Sequence, residues 1–315
     1  MTQCLKARQK ARPKPRQGPL TRRRSRTLAA LGAVLLLTAS CAAGGREGTA
    51  IPDGDAAAEY VTAKFSTTLE RLDEDLSANE PRQSTHRSYT RIDDKKSDNT
   101  VTAIQVGSPP SRLFKNHSNR DSADYRDYYH PAGSDVEYTL LGPVYADLAP
   151  TTWVSIPYDN AGYGVCFWGG YTAVCRMLST VQSSLENGNA AKQAKSLRDG
   201  SVELTAEVTL RDFLEERVVI LPDWALEPIS EEMRDEVIET RIKLDPEGRL
   251  KEIEMNGLIS GGGHEIEIKE HYQVLEPPTE ESLPTIPPDD QVTALKTDAQ
   301  VDEFYDRMNE ITSGG

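Results

Sequence analysis

Ser201–Leu210, SVELTAEVTL, alternates apolar and polar side chains without a break. Val202, Leu204, Ala206, Val208 and Leu210 fall on one side; Glu203, Thr205, Glu207 and Thr209 fall on the other. That period of two predicts a strand in a sheet with one dry and one wet face. It returns in Val237–Leu244, where Ile238, Ile242 and Leu244 share a side, and in His264–Val274, where Ile266, Ile268, Tyr272 and Val274 do. Arg249–Met255 folds back on Val237–Leu244 across Asp245-Pro246-Glu247-Gly248, whose Pro and Gly suit a tight turn. Its apolar parity slips between Leu250 and Ile253, which predicts a bulge near Glu252. Shorter apolar runs predict strands at Tyr89–Ile92, Val101–Val106, Val136–Leu141, Trp153–Ile156 and Arg217–Leu221.

Spacings of three and four mark the helices. They run over Asp55–Leu76 (Val61, Phe65, Leu69, Leu72, Leu76), Tyr171–Glu186 (Val174, Leu178, Val181, Leu185) and Asp298–Ile311 (Val301, Phe304, Tyr305, Met308, Ile311). Ser230–Asp235 reads as one helical turn capped by Ser230. The stretch 79–135 is polar and weakly patterned, and Lys115–His130 within it reads as an exposed loop. Glu276–Asp290, EPPTEESLPTIPPDD, reads as an extended acidic linker. A one-sided sheet must bury its dry face against something. The expected class is therefore α+β, an antiparallel sheet covered by two to three helices.

The N-terminus fixes the compartment. Ten basic and no acidic residues precede the apolar run Leu28–Ala39, and Leu37-Thr38-Ala39-Ser40 leads into Cys41. A basic region, a short apolar core and small residues at a cleavage point make a secretory signal. The apolar run holds about 12 residues against the ~20 needed to span hydrocarbon. The cysteine directly after the cut makes it similar to a lipoprotein signal, which implies cleavage before Cys41 and a diacylglyceryl group on its sulfur. Arg22-Arg23-Arg24 leaves both general and twin-arginine export open. The expected organisation is a signal over 1–40, a lipidated tether over 41–54, the main domain over 55–275, a linker over 276–296 and a C-terminal helix over 297–315.

Removing 1–40 leaves 26 basic and 50 acidic residues, a charge of −24. Such a surface is repelled by nucleic acid and by anionic lipid headgroups. Attachment to the outer side of the membrane then falls to the acyl chains on Cys41. Two thiols remain in an oxidising compartment, Cys166 and Cys175, and a disulfide is expected between them.

No catalytic motif emerges. The five histidines form no HExxH or HxH arrangement, no Cys/His cluster has zinc spacing, and no GxSxG, SxxK, Walker loop or GxGxxG is present. Strand alternation puts His264 and His271 on opposite faces, against a shared metal. The expectation is a non-enzyme without cofactor or metal. Glu270 alone breaks the pattern, falling on the dry side among Ile266, Ile268, Tyr272 and Val274. A carboxylate there needs a partner, for which Arg241 and Arg249 are candidates, or it marks the polar mouth of a pocket.

The lipobox, tether, helix, Trp-containing strand TTWVSIP (Trp153), second helix and long antiparallel run resemble the LolA/LppX-like lipoproteins of actinobacteria. The hairpin TRIKLDPEGRLKEIEMNG, Thr240–Gly257, carries the clearest likeness. The resemblance implies a curved half-barrel sheet closed by helices over an apolar cavity, and the binding of lipid-like ligands. Val202, Leu204, Val208, Ile238, Ile242, Ile266 and Ile268 would line that cavity, with Glu270 beside them. The alternative is a cell-envelope interaction protein with a filled core and no small-molecule ligand, engaging a protein partner through its C-terminal helix.

Overall fold

The computed structural model describes residues 63, 66–72, 80–158, 165–187 and 192–313. The expected signal, Cys41, the tether and most of the expected helix Asp55–Leu76 lie outside the described residues; 66–72 are helical, with Leu69 and Leu72 buried.

Twelve strands form one sheet: β1 Arg82–Ile92, β2 Lys95–Val106, β3 Ser111–Ser118, β4 Tyr125–His130, β5 Val136–Leu141, β6 Trp153–Pro157, β7 Lys192–Ser196, β8 Val202–Thr209, β9 Val237–Leu244, β10 Leu250–Gly261, β11 His264–Val274 and β12 Val292–Ala294. Their order is β12-β6-β5-β4-β3-β2-β1-β11-β10-β9-β8-β7, and β12 on β6 is the parallel pair among antiparallel ones. The sheet is curved and does not close. Besides the helical residues 66–72, the described residues form the helices α1 Gly169–Glu186, α2 Leu210–Glu215, α3 Asp223–Leu226, α4 Glu231–Arg234 and α5 Asp298–Ser313.

Alternation does what the sequence pattern demands. Leu204, Val208, Ile238, Ile242, Ile253, Met255, Ile266 and Ile268 turn inward and join one core with Tyr171, Val174, Met177 and Val181 of α1 and Phe213 of α2. Each buried aliphatic side chain contributes roughly 1.5–3 kcal/mol. Gly170 brings α1 against β2: a Cβ there would meet Ala103 Cβ at 2.8 Å. The same face continues in register through Ala103, Phe114, Tyr128, Thr139 and Val154. There Phe304 and Met308 of α5 close a second core with Leu141, Tyr145 and Val154.

The bulge sits where the parity slip places it, with the β9–β10 register shifting between Leu250 and Glu252. Other expectations are corrected. Lys115–His130 is not a loop: it carries the end of β3 and all of β4, whose register runs from Arg112↔His130 to His117↔Tyr125. Arg217–Leu221 is not a strand. Arg217 takes φ 56°, and its carbonyl accepts a hydrogen bond from Arg176 Nη1 at 2.8 Å, so the chain turns there after α2. The strand beginning at Val202 stops one residue early, because Thr209 caps α2 by accepting from the Asp212 N–H. The Pro-rich acidic segment is a strap on the outer face: Leu283 packs against Ile104, Leu113 and Tyr129, and Val292–Ala294 pairs with β6.

Candidate functional site

The expected cavity-lining residues converge on the inner face beneath α1. Leu204, Val208, Ile238 and Ile266 are 0 % exposed, and Ile242 and Ile268 are 1 % exposed. Val202, nearer the edge strand, is partly buried. All six buried side chains join one core with Leu69 and Leu72, with Tyr171, Val174, Met177 and Val181 of α1, and with Phe213 of α2. In this conformation the inner face beneath α1 is filled.

A polar stripe crosses that face. The strand β1 presents Ser84, His86, Ser88 and Thr90 inward, and Thr240 of β9 and the hydroxyls of Tyr171 and Tyr272 add to it. The hydroxyls of Thr90, Thr240 and Tyr171 are buried with no hydrogen-bond partner among the described residues. Sequence reading missed β1 beyond Tyr89–Ile92 because its inward set is polar. The alternation was present, in Arg87, Tyr89 and Arg91 pointing outward, but carried no apolar signal.

Glu270 sits in the stripe, 1 % exposed. Its partner is neither arginine the sequence offered. Arg241 lies on the outer face against Glu254 at 3.3 Å, and Arg249 holds Asp245 at 2.8 Å. Instead, Glu270 Oε2 lies 2.8 Å from His86 Nε2, and Ser88 Oγ donates to Oε1 at 2.9 Å. Burial pushes the Glu270 carboxyl above its ordinary range, while the hydrogen bond and charge of His86 and the bond from Ser88 pull the other way. Serine, histidine and acid are thus together, but in the wrong order for nucleophilic catalysis. The hydroxyl donates to the carboxylate rather than to the imidazole, so His86 is not placed to take its proton as in a serine–histidine–acid triad.

Cys166 and Cys175 lie at disulfide distance, Cα–Cα 5.8 Å, joining the turn before α1 to its second turn. Thr172 Oγ1 donates to the Cys166 carbonyl at 3.0 Å, reinforcing the same junction. No described helix is long and apolar enough to cross a membrane.

These features define a class: an α+β protein on one open sheet, whose inner face is apolar over β8 to β11 apart from the polar stripe. No family model matches the chain, and no curated protein matches it in sequence. Among solved structures it is similar to LprF from Mycobacterium bovis, at 9 % identity and a TM-score of 0.29 over 72 % of this chain and 97 % of that one. It is also similar to the lipoprotein LppX from Mycobacterium tuberculosis, at 12 % identity and a TM-score of 0.26 over 65 % and 93 %. A LolA superfamily protein from Nitrosomonas europaea matches at 9 % identity and a TM-score of 0.25 over 70 % and 99 %.

Proposed function

We propose that the chain is a lipid-anchored extracytoplasmic protein that binds an apolar, lipid-like ligand on the inner face of its sheet when α1 lifts, without catalysing a reaction. The observation that carries this reading is the polar stripe under α1. Each buried hydroxyl left unpaired costs about 1–3 kcal/mol. Exposing Thr90, Thr240 and Tyr171 returns that cost, so the cover is held less firmly than an all-apolar interface would hold it. The lipobox and the sheet-and-helix arrangement are what the sequence resemblance rests on for such a carrier.

The second reading, a filled-core protein that engages a partner, is favoured by the 0–1 % exposure of the six inner residues. Native mass spectrometry of the chain incubated with a membrane lipid extract separates the two. A reproducible added mass, lost in Val208→Gln and Ile242→Gln variants that keep their circular dichroism, supports the carrier. A clean unliganded mass throughout overturns it in favour of the filled core.

A further inference from the structure

We propose that Glu252, Glu254 and His271 form a divalent transition-metal site of the zinc type on the outer face of the sheet. The strand β10 turns Glu252 and Glu254 outward, two residues apart, and its register with β11 sets His271 directly opposite Glu254 and diagonal to Glu252. One donor atom from each of the three lies within 4.8 Å of the other two. The carboxylates divide their oxygens. Glu252 gives Oε2 to Lys243 Nζ at 2.7 Å, and Glu254 gives Oε2 to Arg241 Nη1 at 3.3 Å. Both remaining Oε1 atoms face His271 Nε2, at 2.8 and 4.0 Å.

Two carboxylate oxygens and an imidazole nitrogen suit zinc-type ions better than calcium or magnesium, which favour oxygen alone. Donors about 2.1 Å from a tetrahedral ion stand about 3.4 Å from one another, between the two observed separations. Small rotations of the glutamate side chains would reach that geometry. Lys243 and Arg241 stand where outer-shell partners of metal-bound carboxylates stand, fixing the orientation of each. They also offset charge, which places the expected affinity in the micromolar range rather than tighter. A pocket of about 400 Å³, lined by Glu254, His271, Arg87, Tyr89, Asn256 and Lys269, opens beside the three donors and leaves room for water or an anion in the remaining position. To ligate, His271 presents its Nε2 lone pair to the ion, and its present contact with Glu252 gives way to the two metal bonds.

The test is isothermal titration of the full-length chain with zinc chloride at pH 7.5, its free thiols alkylated so that Cys4 and Cys41 do not compete. We expect one equivalent bound with a micromolar Kd, weakened at least tenfold in Glu254→Gln and in His271→Ala. Both variants sit on the outer face and should melt as the wild type does without zinc. Absence of a stoichiometric event, or equal affinity in the wild type and both variants, would overturn the assignment. A third variant, Lys243→Met, keeps all three ligands; if it retains binding while the other two lose it, general surface charge is excluded as the cause.

Discussion

His86 and Glu270 hold each other in a place where neither would be stable alone. Removing one partner of a buried ionic or hydrogen-bonded pair leaves the other desolvated, at a cost of about 3–5 kcal/mol. His86→Ala should therefore lower the unfolding free energy in urea by about 3 kcal/mol. The double variant His86→Leu/Glu270→Met, which removes both polar groups, should recover most of that loss. Equal destabilisation by single and double variants would show that the pair contributes by shape alone. Glu137 makes a different case. It is half-buried on the inner face between the two cores, near the hydroxyls of Tyr128, Tyr158 and Tyr305, and burial pushes its carboxyl up to about 7 from 4.5. A raised folded-state pKa means stability that is full below about 4.5 and is lost as pH rises through about 7. Glu137→Gln should thus raise the melting temperature more at pH 8 than at pH 5, and an equal gain at both would contradict this.

Among the elements, those with a strong periodic signal were legible, and those whose partners lie far along the chain were not. Val237–Leu244 and His264–Val274 coincide with β9 and β11 because their apolar sets meet one continuous core. The C-terminal helix was legible for the same reason, through Phe304 and Met308. In β3 and β4 each face must satisfy a different cover, so Arg112, Lys115, Arg126 and Asp127 interrupt every apolar run. Backbone pairing on both sides holds these strands, and composition does not report it. Glu270 was visible as an anomaly, but its partner was not, since His86 lies 184 residues earlier on a strand whose inward residues are polar. At this scale α5 and β12 act as one clip on the β5–β6 edge. Phe304 is 4 % exposed, and Phe304→Ala should cost about 3 kcal/mol locally. Amide exchange should then rise through α5, β12 and β6 while β8 to β11 stay protected. Uniform exchange across the sheet would mean that the two cores open together.

At the scale of the molecule the order of strands departs from the order of the chain. The first strand lies in mid-sheet and waits for β11, which ends at Val274, before its second side is paired. The β6 edge waits for β12, and its inner face waits for α5, which ends at Ser313. Contacts between such distant residues carry a loop-closure cost that slows folding. A chain that enters its folding compartment amino end first can make hairpins, but it cannot seal either core until its last fifty or so residues arrive. On the proposed export route, topology thus slows folding before export; a truncation that removes β11 would leave the larger core open to proteolysis, whereas loss of α5 alone would open the second core.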